Sequence, residues 1–291
     1  MPQDTSMQGK ICLVTGATLG IGKVTARALA DKSATVVIVG RDAAKTAATV
    51  AEIQAQTGNP QVTSIVADLS SQAEVRRTAQ EFLAQHDRLH VLVNNAGGMF
   101  TSRKVTVDGL EYTFALDHLG YFLLTNLLLP TLQASAPARI VSVASTAHTL
   151  GKIHFDDLQS TKGYNGLAVY GQAKLANVMF TYELARRLAG TGVTANTLHP
   201  GVVATGFAKN NGPILNFVMS TLARPFQINT EQGAATSIYL ATSPEVEGVT
   251  GKYFIKSKPV KSSPASYVEA DQQRLWEISE QLVGLSVATP A

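Results

Sequence analysis

In this 291-residue chain the residues best suited to chemistry are Tyr170 and Lys174, in the run Tyr170-Gly171-Gln172-Ala173-Lys174. Side chains four residues apart on a helix share a face, so an ammonium can sit near a phenol. A free tyrosine ionises near ~10, and a nearby cation favours the phenolate, which makes the phenol a usable proton donor near neutrality. Alone, such a pair is also an ordinary amphipathic helix face. Ser145 adds weight, because it follows an apolar run and its hydroxyl can hold a carbonyl oxygen beside the tyrosine. A serine there serves equally well as a loop or cap residue.

A second group of residues suits phosphate. Thr15-Gly16-Ala17-Thr18-Leu19-Gly20-Ile21-Gly22 follows the first apolar run and precedes a helical stretch. Glycines let the chain turn tightly and let amides at a helix start approach a pyrophosphate, although the spacing only loosely matches the dinucleotide fingerprint and simple strand-to-helix geometry would also use them. The second apolar run ends in Gly40-Arg41-Asp42, where NAD-binding chains carry an acid for the ribose 2′-hydroxyl. Glycine removes that acid and Arg41 can pair with a 2′-phosphate, which favours NADP. Lys23 can add charge there, whereas a one-residue shift would instead bring Asp42 to the ribose. Asp68 can meet an adenine edge and Asn95-Ala96-Gly97 can let the backbone pass close to a cofactor; each is equally turn chemistry. Pro200-Gly201 and Thr205 suit closure over a nicotinamide.

The elements that must position these groups follow from hydrophobic period. Short Val/Ile-rich runs at 11–15, 35–39, 62–67, 91–94, 139–144, 193–198 and 253–255 predict strands, with helices between them and a long helix from Tyr170 to about Leu188. Runs such as ICLVT, TVVIV and RIVSV are apolar on both faces, as strands of a covered parallel sheet are. The expected fold class is α/β, a doubly wound, mostly parallel sheet with helices on both faces. Ligands in such sheets bind beyond the carboxyl ends of the strands, so the residues just after each run are the ones of interest.

With 45% apolar and 15% charged residues the chain can bury a sizeable core, and long disorder is excluded. The low charge leans toward extra buried surface, compatible with a homo-oligomer, dimer or tetramer. Basic residues exceed acidic ones by only 24 to 21, with no basic run to track nucleic-acid phosphates. Cys12 is the sole cysteine, so no intramolecular disulfide or cysteine-rich metal site forms, and a reducing, cytoplasmic setting is expected. No metal site is expected. The strongest apolar stretch, Leu119 to Pro130, is interrupted by Thr125 and Asn126, and the first ten residues lack a signal-like run, so no membrane span is expected. One domain over residues 1–291 is expected, with residues 1–8 flexible.

In this order TGATLGIG, NNAG, the serine after the fifth run, YGQAK and HPGVV resemble the short-chain dehydrogenase/reductase family. FALDHLGYFLLTNLLLP, GLAVYGQAKLANVMFTYELARRL and GVTANTLHPGVVATGF are similar to its retinol dehydrogenase and WW-domain oxidoreductase branch, and the resemblance covers about residues 9 to 285. It implies a seven-stranded Rossmann-type sheet and hydride transfer between a nicotinamide and a carbonyl or alcohol. Tyr170 would be the proton donor, Lys174 would lower its pKa and hold the nicotinamide ribose, and Ser145 would position the carbonyl. The cofactor would lie against Gly16, Thr18, Leu19, Gly20, Ile21 and Gly22, then Arg41, Asp68 and Leu69. Asn95, Ala96 and Gly97, with Tyr170, Lys174, Pro200, Gly201, Val203 and Thr205, would complete its site. Two departures stand out: Ala144 where the family has a second serine, and Asp117 where it has an asparagine whose main-chain carbonyl serves a proton relay through water. Asp117 keeps that carbonyl and adds a carboxylate within potential reach of Lys174, or else faces solvent or caps a kink.

The leading expectation is an NADP(H)-dependent carbonyl reductase or alcohol dehydrogenase acting on a hydrophobic small molecule. The alternatives are an NADP(H)-binding sensor without turnover and a light-dependent protochlorophyllide-type reductase. Residues 206–226, with Phe207, Ile214, Leu215, Phe217, Val218, Met219 and Leu222, suggest an apolar substrate lid, or equally core packing. His148 and His154 can touch substrate or simply be exposed.

Overall fold

The computed structural model describes residues 4–201 and 229–285. In chain order the sheet and helices are β1 (Ile11–Thr15), α1 (Gly20–Asp31), β2 (Thr35–Gly40), α2 (Ala43–Thr57), β3 (Val62–Val66), α3 (Gln72–Gln85) and β4 (Val91–Asn94). Then come the short α4 (Tyr112–Phe114), a π-helical turn (Ala115–Leu119), α5 (Gly120–Ala134), β5 (Ala138–Val143), α6 (Gly166–Arg187) and β6 (Val193–His199). The described chain closes with α7 (Thr230–Thr242), β7 (Tyr253–Ile255), β8 (Lys258–Val260) and α8 (Glu269–Leu282).

The sheet order is β3-β2-β1-β4-β5-β6-β7-β8, parallel from β3 to β7, with β8 antiparallel at the edge. The α/β reading from hydrophobic period is borne out, with one strand more than the seven expected. β8 escapes sequence reading because Pro259 lies within it and the hairpin turn is made by Lys256 and Ser257, both at positive φ, rather than by Asn or Gly. On an edge strand the missing proline N–H costs no ladder bond.

Cys12 and Val14 of β1 pack toward α1 and α7 with Leu29, Ile38, Leu198 and Leu240, whereas Leu13 packs to the other side with Phe82, Phe122, Phe180 and Trp276. Alternation along one strand therefore feeds two cores, which is why ICLVT reads as unbroken apolar sequence. Every residue of α6 from Val169 to Ala185 is buried, and α8 supplies one cover, with Trp276 stacked 5.6 Å from Phe180 and edge-on to Phe122 at 4.9 Å. Of the N-terminal residues expected to be flexible, Met7 is buried and its N–H donates to the Lys32 carbonyl.

Registers Thr15↔Val39, Asn94↔Ser142 and Val143↔Leu198 bring the carboxyl ends of β1, β2, β4, β5 and β6 to one level. The strand order reverses between β1 and β4, and the crevice opens there.

Candidate active site

A cleft of about 750 Å³ runs along these strand ends. Its β1 end is fixed by Thr15, whose Oγ1 donates to the Val93 carbonyl (3.3 Å) and accepts from the N–H groups of Asn95 (2.8 Å) and Ala96 (3.0 Å). Asn95 Nδ2 returns bonds to the carbonyls of Thr15 (2.8 Å) and Gly16 (3.1 Å). Gly16 has φ 63° and a Cβ there would lie 2.7 Å from Ala96 Cα, so only glycine allows the two loops to meet. Asn95 thus acts here as a clamp on the glycine turn. Helix α1 then opens at Leu19 without a side-chain cap and without an acid in its first turn, so among the described residues its leading amides have no side-chain partner, and Gly20, Ile21 and Gly22 line the cleft.

At the β2 end, a Cβ on Gly40 would lie 2.3 Å from Thr18 Cγ2 and 2.4 Å from Thr46 Oγ1, so no acid can stand there. Arg41 is exposed and lines the cleft. Asp42, the competing ribose ligand, instead caps α2 by accepting from the Lys45 N–H at 2.9 Å, and Lys23 is engaged by Glu52 at 2.6 Å rather than turned to the cleft. Asp68 and Leu69 line the wall, with Asp68 Oδ1 accepting from the Ser70 N–H (3.0 Å) in a local turn.

The other end of the cleft carries the reactive groups. Asn165 caps α6 by accepting from the N–H groups of Leu167 and Ala168, both at 3.1 Å, so this helix starts one turn earlier than its chemistry suggested. Tyr170 and Lys174 lie on its cleft-facing side, and Tyr170 is hydrogen-bonded to Ser145. Ser145 itself follows β5 and starts a 3₁₀ turn by accepting from the Ala147 N–H (3.2 Å).

Lys174 Nζ sits 5.5 Å from the centroid of the Tyr170 ring, 3.3 Å from the Val143 carbonyl and 3.0 Å from Asp117 Oδ2. Asp117 lies in the π-helical turn, fully buried, and its Oδ1 accepts from the Gly98 N–H at 2.8 Å. Such π turns are common at functional sites. Solvent-facing and helix-capping readings of Asp117 are excluded by this placement. Burial raises the Asp117 carboxyl, opposed by Lys174 and the Gly98 amide. The Tyr170 hydroxyl is pushed upward by burial first and by the Asp117 carboxylate second, with the Ser145 bond acting downward. The Lys174 ammonium is met by the Asp117 carboxylate at contact distance, and burial is the largest influence on the Tyr170 hydroxyl.

Ala96, Gly97, Pro200 and Gly201 also border the cleft, as does Thr18, while Val203, Thr205 and the expected lid at 206–226 lie outside the described residues. His148 does not reach it. Its ring is buried, contacts the Ser145 carbonyl (2.6 Å) and accepts from the Ser263 N–H (3.1 Å); His154 is exposed away from the cleft. Sequence reasoning missed Met99, Phe100, Tyr112, Leu116, Leu150 and Leu167, an apolar wall from the loops after β4 and β5 and the start of α6. It also missed His199, whose imidazole is held near about 4 by burial and by His148 and accepts from the Thr146 N–H at Nδ1. Only Met99 and Phe100, soon after β4, and His199, closing β6, sit where strand ends gave a signal. Among the described residues no cluster of three metal-ligating side chains occurs and no helix is long and apolar enough to cross a membrane.

A family model described as short chain dehydrogenase matches residues 10–214. The chain belongs to the short-chain dehydrogenase family. This short-chain dehydrogenase is 45% identical over 282 residues to retinol dehydrogenase 12 of Mus musculus, covering 97% of this chain and 89% of that protein. It is 43% identical over 283 residues to retinol dehydrogenase 11 of Homo sapiens, at 97% and 88% coverage. An uncharacterised protein from Mycobacterium paratuberculosis superposes with TM-score 0.77 at 33% identity, covering 96% of this chain and 94% of that one. The RhlG/NADP active-site complex of Pseudomonas aeruginosa superposes with TM-score 0.70 at 31% identity, covering 87% and 97%. The protein is an oxidoreductase of the retinol dehydrogenase-like branch, with a fold suited to a nicotinamide cofactor.

Proposed function

We propose that this oxidoreductase is an NADP(H)-dependent carbonyl reductase or alcohol dehydrogenase acting on a hydrophobic small molecule. One observation carries the reading: Ser145, Tyr170 and Lys174 converge at one end of a single cleft whose other end holds an uncapped helix start and Arg41. The amides of Gly20, Ile21 and Gly22 fit a pyrophosphate, because among the described residues no side chain caps the start of α1. Arg41 favours a 2′-phosphate, and the crowding around Gly40 keeps a carboxylate off that position. Lys174 has three N–H donors; one goes to the Val143 carbonyl and its charge is met by Asp117, and a ribose hydroxyl can take a further donor.

A bound nicotinamide supplies or takes the hydride and its two electrons at the carbonyl carbon. Tyr170 gives its hydroxyl proton to the carbonyl oxygen in reduction and takes it back in oxidation, and Ser145 holds that oxygen in line. The wall of Met99, Phe100, Tyr112, Leu116, Leu150 and Leu167 supports an apolar substrate, since contact with such side chains scales with the apolar area buried.

The test is oxidation of NADPH and of NADH against carbonyl compounds graded in size and lipophilicity. Higher kcat/KM with NADPH, rising with the apolar bulk of the substrate, is the expected result. Preference for NADH, or for small polar carbonyls, would overturn it.

A further inference from the structure

Asp117, buried in contact with Lys174 behind the reactive end of the cleft, is a carboxylate that no known role of the Ser145, Tyr170 and Lys174 set requires. Its acceptors all point inward: Oδ2 to Lys174 (3.0 Å), Oδ1 to the Gly98 N–H (2.8 Å), and its main-chain carbonyl to Asn177 Nδ2 (2.9 Å). Both side chains of the pair are withdrawn from water, at 0% exposure for Asp117 and 4% for Lys174. A charge pair in contact cancels much of the field that either partner alone would project to a third group.

We propose that Asp117 is a positioning residue that neutralises the Lys174 ammonium and thereby keeps Tyr170 protonated, so that carbonyl reduction is the direction whose proton state is ready at ordinary pH. The inference rests on Tyr170 being the proton donor. Asp117 leaves the overall equilibrium untouched and moves the pH at which each direction finds the form it needs: phenol for reduction, phenolate for alcohol oxidation.

The other titratable groups around the pair do not replace this effect. His118, on the same π turn, is held near about 4 by burial and so is neutral, bonded to Asn177 and Ser279. Tyr121 of α5, 5.6 Å from Lys174 Nζ at its ring centroid, is driven upward by burial and stays a phenol. Glu111, which caps α4 through the Thr113 and Phe114 amides, is raised by burial and feels Asp117 as a like charge. His199, at the end of β6, is neutral with a value near about 4, and His148 behind it is also lowered by burial. Lys174 Nζ lies 5.5 Å from the Tyr170 ring centroid, and Asp117 is the charged group that pushes the Tyr170 hydroxyl upward.

The experiment is a titration of tyrosinate absorbance in the full chain, with Tyr170 isolated by difference against Tyr170→Phe, and repeated in Asp117→Asn. Removing the carboxylate is expected to lower the Tyr170 ionisation by about one pH unit or more. The rising limb of the alcohol-oxidation pH profile should move with it by the same amount. A merely structural Asp117 would lower kcat or stability without moving either limb, and that result would overturn the proposal. If Asp117→Asn does not fold, Asp117→Ser is read the same way, being smaller and equally uncharged. The titration is blind to turnover, so a parent chain that reduces no carbonyl would count against the proposed function, and an unmoved titration against this inference.

Discussion

Replacing Lys174 with methionine keeps an unbranched side chain to Cε and removes the ammonium, which strands Asp117 in the interior. Losing one partner of a buried ion pair usually costs about 3–5 kcal/mol. The structure sets a ceiling on that cost, because the carboxylate can take up a proton instead. Protonating a carboxyl of ordinary value 3.8 costs at most ~4 kcal/mol at pH 7 and under ~2 kcal/mol at pH 5, at ~1.36 kcal/mol per unit. Loss of the Lys174 bond to the Val143 carbonyl adds about 1 kcal/mol at either pH. The folded carboxyl is raised by burial and loses its chief opposing charge in the variant, so the folded state holds the proton more tightly than the unfolded state. Stability must then fall as pH rises from 3.8 through the folded value. Urea unfolding at pH 5 and pH 7 should show Lys174→Met losing about 2 kcal/mol more at the higher pH, and Lys174→Met combined with Asp117→Asn recovering most of that excess. Equal losses at both pH values, or a double variant no more stable than the single one, would refute a buried carboxylate held by Lys174.

Arg41→Ala should lower the NADPH-over-NADH ratio of kcat/KM by about 10- to 100-fold, the worth of a charge-assisted hydrogen bond or two, measured by steady-state kinetics with both cofactors. Trp276→Ala should cost about 3–5 kcal/mol in urea unfolding, because its ring packs against Phe122 and Phe180 and carries the Arg187 guanidinium at 4.1 Å; KM for the carbonyl should stay near that of the parent.

The fold was legible in the sequence wherever burial wrote a continuous apolar run. β1, β2 and β5 announce themselves because both of their faces are covered, while β8, an exposed edge strand containing Pro259, has no such signature. The glycine turn and the Tyr170/Lys174 spacing were readable because each is local: a turn and one helical turn. What was not readable is contact between distant segments. Asp117 and Lys174 lie 57 residues apart, and nothing in either segment dictates that a π turn aims one at the other. Lys23 looked available as a phosphate ligand until Glu52, on the next helix, claimed it, and His148 looked like a loop residue until the Ser263 amide bound it in the interior. The apolar wall was invisible because Met99, Phe100, Tyr112 and Leu116 follow no period; only the loops that fold over the strand ends bring them together.

The central claim is that the Tyr170 hydroxyl delivers the proton in a hydride-transfer reaction, and Tyr170→Phe tests it most directly. The ring and its packing remain while the hydrogen bond to Ser145 and the transferable proton go. Turnover of the best carbonyl with NADPH should fall by at least ~10²-fold, the usual contribution of a positioned acid, while the Kd for NADPH, followed by its fluorescence, stays within about threefold of the parent. A Tyr170→Phe protein that reduces the same carbonyl at near-parental kcat would contradict the account.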